Sequence, residues 1–261
     1  MNSSDPVLSS NGETVLEGLA DLTLDRQLLR TNNIVGFNNR TIETRAFNLL
    51  RTTFAKKLKA QGHRVIGITS AAPEAGKSFL TVNLGASLSL VSDGPVFLVD
   101  LDLRRASLAS TIGLEPEASV NDYLSGQAND LLEIGVRIKG SRVAVFPSAR
   151  TRKPPIELLA GDRLAELIAG LRGLSDTAIM LVDLPPVFAD DDAMIIDEHL
   201  DAFLLVVDAG KTTKNQVKEA LAMMQPTSCL GTVLNRYRGG LADSYGYGYG
   251  YGYGAYQQYY E

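Results

Sequence analysis

The sequence predicts an α/β fold, a doubly wound and mainly parallel sheet flanked by helices, and three observations predict it. Six short runs rich in Val, Ile and Leu, at 65–69, 96–100, 143–146, 179–183, 203–207 and 231–234, are mostly apolar on both faces, as strands of a covered sheet must be. Stretches at 77–90, 162–171, 191–197 and 213–224 lie between them with helical spacing. Three of the apolar runs end in Thr69, Asp100 and Asp183, at the strand ends where open α/β sheets take their ligands. Strand alternating with helix implies right-handed crossovers between parallel strands.

In chain order, residues 1–38 come first, poor in large apolar residues and rich in Ser, Asn, Asp and Thr. Val15, Leu16, Leu19, Leu22, Leu24, Leu28 and Leu29 allow one short amphipathic helix there, and the rest is expected to be a flexible N-terminal arm. The alternating strands and helices occupy a domain over 39–236, and a tail follows at 237–261. The tail holds Tyr245, Tyr247, Tyr249, Tyr251, Tyr253, Tyr256, Tyr259 and Tyr260, eight of the ten tyrosines of the chain. Glycine between tyrosines makes regular structure costly, so the tail is expected to be a flexible appendage. Taken alone it reads as an adhesive low-complexity segment; beside a nucleotide site it reads as a substrate.

Composition removes several alternatives. With 261 residues, 45% hydrophobic and 21% charged, the chain is neither disordered throughout nor a fibre or coiled coil. Its longest apolar stretches, such as 202–207, fall short of the roughly 18 residues of a membrane span. The polar start MNSSDPVLSS shows no secretory signal. One cysteine, Cys229, excludes a disulfide scaffold, and with only His63 and His199 beside it a zinc centre is not expected. A net charge of −5 argues against a nucleic-acid partner. The expectation is a soluble cytoplasmic protein.

The chemistry is concentrated at three strand ends. After the first strand comes Ala71-Ala72-Pro73-Glu74-Ala75-Gly76-Lys77-Ser78-Phe79, then a helix. Small residues here let backbone N–H groups face a phosphate, and the helix N-terminus adds a favourable dipole. Lys77 suits the β and γ phosphates of ATP, and the Ser78 hydroxyl suits Mg²⁺. Two further apolar runs drive into Asp100-Leu101-Asp102-Leu103-Arg104 and into Asp183. A lone Asp after a strand is often a cap, but three such features in this order point to an ATP site.

The hydrophobic-Asp-x-Asp-x-Arg run resembles the second carboxylate motif of the deviant phosphate-loop ATPases, and Asp183 resembles a Walker B carboxylate. In that superclass the partitioning and septum-site ATPases carry an extra lysine where this chain has Ala72. The departure favours the bacterial tyrosine autokinases of capsule and exopolysaccharide systems. Glu43, Arg45 and Arg51, before Thr52-Thr53-Phe54, resemble the Glu/Arg helix that packs those kinases into a ring, although Asn48 replaces the middle arginine and Glu43 lies two residues too far upstream. As residues 36–64 carry seven Lys/Arg against one acid, the same stretch also reads as a solvated basic helix. Pro154-Pro155-Ile156-Glu157-Leu158-Leu159 and the strand ending in Asn235 are similar to family stretches, the Asn facing adenine in the family.

The resemblance implies an ATP- and Mg²⁺-dependent kinase that phosphorylates its own tail, in trans within a ring that is an octamer candidate. Lys77 and residues 73–79 would hold the nucleotide with Asn235, and Ser78, Asp102 and Asp183 the metal. Asp100 or Asp102 would take the tyrosine proton, with Asp100 favoured because it resembles the first carboxylate of the motif; Arg104 would neutralise charge or pair with a neighbouring acid. The implied partners are a membrane-embedded polysaccharide co-polymerase, which activates the kinase and holds it at the inner face of the membrane, and a tyrosine phosphatase. An assembly switch that hydrolyses ATP without kinase activity is the alternative.

Overall fold

The computed structural model describes residues 11–38, 44–151 and 154–237. Eight strands form one sheet in the order β1-β4-β5-β3-β6-β2-β7-β8, and every pairing is parallel except that of β4 with β5. The strands are β1 (Ala20–Leu22), β2 (Val65–Ser70), β3 (Val96–Asp100), β4 (Val136–Ile138), β5 (Val143–Phe146), β6 (Ile179–Asp183), β7 (Ala202–Asp208) and β8 (Ser228–Asn235). The expected α/β architecture is therefore present.

Alternation along the strands sends side chains to two cores. Val65, Phe97, Val99, Met180, Val182, Phe203 and Leu205 face one layer. That layer holds α1 (Asn11–Glu17), α6 (Val120–Leu124), α7 (Ile156–Leu159), α8 (Asp162–Leu174), α9 (Asp192–Asp197) and α10 (Lys214–Met223). Ile66, Ile68, Val96, Leu98 and Leu181 face the other layer. There lie α2 (Arg26–Thr31), α3 (Arg45–Gln61), α4 (Lys77–Ser89) and α5 (Ser107–Ile112). A strand exposes successive side chains to opposite faces, so apolar runs without alternation are what two covered faces require. Most of α4 is buried, and it runs from the carboxyl edge of the sheet to the opposite edge.

The N-terminal region departs from expectation. Residues 14–38 are not an arm over their described length but part of the fold. Leu16 and Leu19 are buried in one core and Ile34 in the other, and β1 adds a parallel strand beside β4. The Asn83 side chain, buried in α4, accepts the N–H groups of Val35 at 2.8 Å and Gly36 at 2.9 Å. A Cβ at residue 36 would lie 2.2 Å from the Asn83 carbonyl oxygen, so glycine alone allows this approach. The few leucines of this region pack, and the buried amide satisfies the backbone between them.

Among the described residues, no helix is long and apolar enough to cross a membrane. Glu43 and the eight tail tyrosines, Tyr245 to Tyr260, lie outside the described residues.

Candidate active site

The strand register builds the acidic part of the site. β3 and β6 pair so that Asp100 stands opposite Asp183, and β2, beside β6, leads into the phosphate loop. Lys77 opens α4 with Gly76 as its N-cap at φ +96°. A Cβ there would sit 2.1 Å from Asn235 Nδ2, whose amide donates to the Ala75 carbonyl at 2.8 Å. Gly76 is thus required twice, by its backbone angle and by the side chain lying over it. Glu74, at φ +65°, also holds a left-handed conformation and is exposed with Pro73.

Four charges meet almost without water: Lys77, Asp100, Asp102 and Asp183 are each at most 4% exposed. The Lys77 ammonium lies 3.5 Å from Asp102 Oδ2. Ser107 Oγ lies 2.6 Å from Ser78 Oγ, which in turn donates to Asp183 Oδ2. Asp183 Oδ1 and Asp102 Oδ2 are buried without a hydrogen-bond partner. Asp100 differs, because both its oxygens accept backbone N–H groups, from Asp102 at 3.1 Å and Leu108 at 3.1 Å. Burial, with Asp183 as a like charge beside it, raises the Asp100 carboxyl well above its usual range. Burial also lifts Asp183 to about 7, against the opposing pull of Lys77 and Ser78.

Above these groups opens a pocket of about 330 Å³, reached by Lys77, Ser78 and Phe79. It takes four cations, Lys77, Arg105, Arg150 and Arg236, against one acid, Glu74. Arg105 pairs with Glu74 at 3.3 Å, and Arg150 Nε donates to the Arg105 carbonyl at 3.2 Å. Arg236 pairs with Asp208 at 2.8 Å and also lines a neighbouring pocket of about 660 Å³ with Glu74, Lys211 and Tyr237. Such a cationic cavity at a helix N-terminus favours a polyphosphate.

The expected residues 73–79, Asp100, Asp102, Asp183 and Asn235 converge here. Of the two roles weighed for Arg104, the structure shows pairing, with Asp192 at 2.7 Å and Asp190 at 2.6 Å. Arg45 and Arg51 lie away from the loop, on α3, and Arg51 donates to Ser87 of the same chain. Sequence reasoning missed Ser107, Arg105, Arg150, Arg236 and Asp208. Only Arg105 and Ser107 carried a signal, their closeness in the chain to the Asp-x-Asp run.

No family model matches the chain. Tyrosine-protein kinase CpsD of Streptococcus agalactiae serotype III (strain NEM316) is 30% identical over 204 residues, which cover 77% of this chain and 84% of that protein. The kinase domain of Escherichia coli tyrosine kinase Etk superposes with a TM-score of 0.71 at 23% identity, covering 86% of this chain and 92% of that one, and shows the shared fold. The septum site-determining protein MinD from Pyrococcus horikoshii OT3, solved with Mg-ADP, matches at 26% identity and a TM-score of 0.58, covering 67% of this chain and 71% of that one. The site and the CpsD match agree on a nucleotide-using phosphotransferase, and the chain belongs to the bacterial tyrosine-protein kinases.

Proposed function

We propose that this tyrosine kinase is an autokinase of a capsule or exopolysaccharide system and that its substrate is its own C-terminal tail, presented in trans within a ring oligomer. The observation that carries the reading is the pairing of one site with one sequence. A dry cluster of Lys77, Asp102 and Asp183 opens into a cationic pocket, and the same chain carries eight tyrosines among residues 245–260. Several relatives are named as capsule-region or Wzc-type kinases, which supports the polysaccharide context. The implied partners are a membrane co-polymerase that activates the kinase and holds it at the membrane, and a phosphatase that resets it.

Tyrosine, with a pKa of about 10, is a weak nucleophile at neutral pH, so alignment and charge neutralisation carry most of the catalysis. Lys77 and the backbone N–H groups of residues 74–79 hold the β and γ phosphates. Ser78 and Asp183 fit Mg²⁺, because Asp183 Oδ1 is buried without a hydrogen bond while its other oxygen takes the Ser78 hydroxyl. Among the described residues no cluster of three or more acids, histidines or cysteines forms a full metal cage, which suits an ion that keeps water and phosphate ligands. Mg²⁺, when bound, neutralises phosphate charge. Asp102 accepts the tyrosine proton; Asp100 is assigned to holding the loop, since both its oxygens are taken by backbone amides. Arg105 and Arg150 supply in one subunit the positive charge that the missing lysine at Ala72 would bring in the switch ATPases.

Intact-mass spectrometry with ATP and Mg²⁺ tests the reading. Additions of about 80 Da confined to residues 238–261 and absent from Lys77→Met are the expected result. ATP consumption with no phosphotyrosine, even with the cytoplasmic ends of a co-polymerase added, would favour the assembly switch.

A further inference from the structure

The largest cavity described, about 770 Å³, lies at the far end of α4 from the phosphate loop. Thirteen residues of helix separate the two, a distance of roughly 20 Å. Leu24, Phe37 and Leu90 give this cavity an apolar surface, and Arg26, Lys139 and Arg142 give it charge. Among the described residues no carboxylate lines it, although the whole chain carries a net charge of −5. The three cations belong to no ion pair among the described residues. Lys139 and Arg142 stand on the two sides of the β4–β5 turn, where the Ser141 N–H donates to the Ile138 carbonyl and Gly140 takes a φ of +77°. Arg142 is further held by its bond to the Ser89 carbonyl at 3.1 Å.

An aromatic ring bearing a doubly charged phosphate matches both properties of this cavity. We propose that it is a receptor site for phosphotyrosine, and that its occupant is the phosphorylated tail of this chain or of a second copy. The proposal rests on the reading of the tail as substrate. The ring packs against the leucines and Phe37, and the phosphate takes charge-assisted hydrogen bonds from Arg26, Lys139 and Arg142. Reach is sufficient, since residues 238–261 span up to roughly 80 Å when extended. Spent tyrosines are thereby withdrawn to the edge of the sheet opposite the nucleotide pocket, and unmodified ones take their place. The repeat places Tyr247, Tyr249, Tyr251 and Tyr253 each between two glycines, so the cavity accepts any of these positions.

The test is calorimetric titration of the full chain carrying Lys77→Met with a synthetic 243–261 peptide phosphorylated at Tyr249, Tyr251 and Tyr253. We expect binding about tenfold or more tighter than that of the unphosphorylated peptide. Lys139→Glu with Arg142→Glu should erase the difference, as should Arg26→Glu, which lies on a separate element and guards against a misfolded turn. A saturating non-hydrolysable ATP analogue, added to the dephosphorylated wild-type chain whose Lys77 is intact, should leave the phosphopeptide bound. Unchanged affinity in both charge-reversed proteins overturns the proposal, and so does displacement by the analogue, which would place the peptide at the phosphate loop. Binding of phosphatidylglycerol vesicles without phosphopeptide binding overturns it in favour of a lipid surface. Mapping phosphate on the wild-type chain separates the two readings: a tail without phosphotyrosine sinks the substrate assignment, whatever the peptide affinity.

Discussion

At its first turn α4 meets Lys77, Asp100, Asp102 and Asp183, all nearly dry, whereas its last turn borders an open cavity with Arg26, Lys139 and Arg142 and, among the described residues, no carboxylate. The same helix thus joins a region where charges answer one another to a region where they await an outside partner. In the first, low dielectric makes each charge depend on the others, so losing one disturbs the rest. In the second, solvent pays for each cation, and reversal should change binding while leaving the fold intact.

The sharpest break of this contrast is Lys77→Met. It should lower phosphotyrosine formation by at least about 10³-fold, as expected when a phosphate-binding cation is lost, with circular dichroism unchanged. Next comes the division between the two neighbouring acids. Asp102→Asn should reduce turnover about 100-fold, with a smaller loss of stability than Asp100→Ala because Asp183 still faces the Lys77 ammonium. Asp100→Ala should instead cost about 2–3 kcal/mol of stability, because it strands two buried amides, and denaturant titration measures it. Equal stability losses in the two variants would erase the distinction drawn between them.

A smaller effect is expected midway along the helix. Asn83→Ala removes the acceptor of the Val35 and Gly36 N–H groups and should cost about 2 kcal/mol, with faster hydrogen exchange at residues 33–38. The smallest lies far from both ends. Burial raises Asp197 to about 6, so its folded pKa exceeds its unfolded value. Its contribution to stability is therefore complete below about pH 4 and is lost as pH rises through about 6. Asp197→Asn should raise the melting temperature by about 2 °C or more at pH 8 and leave it unchanged at pH 4.

β2, β3, β5, β6 and β7 were legible because burial on both faces writes itself as runs without polar alternation, and β8, a half-exposed edge strand, was legible only over its apolar end. β1 and β4 were not, because ADL and VRI are three residues long and carry charges. The same limit misassigned 14–38, where Leu16 and Leu19 pack into one core and Ile34 into the other, beside backbone held by Asn83. At the site, Lys77, Asp100, Asp183 and Asn235 were readable because each ends a strand or begins a helix, and Asp102 because it lies two residues beyond Asp100. Arg150 was not, since a loop path brings it to the pocket, and Arg236, next to Asn235, carried no motif of its own.

The contact between Asn235 and the phosphate loop carries a consequence for biosynthesis. The Ala75 carbonyl accepts a hydrogen bond from a side chain made 160 residues later, and Gly76 leaves room for that side chain over it. A growing chain therefore carries an unfinished loop through most of its translation. The loop is completed only when the last strand emerges from the ribosome, with the tyrosine-rich stretch directly behind it. If the tail is the substrate, as proposed above, enzyme and substrate mature together, and the kinase has little opportunity to act before its own tail is present.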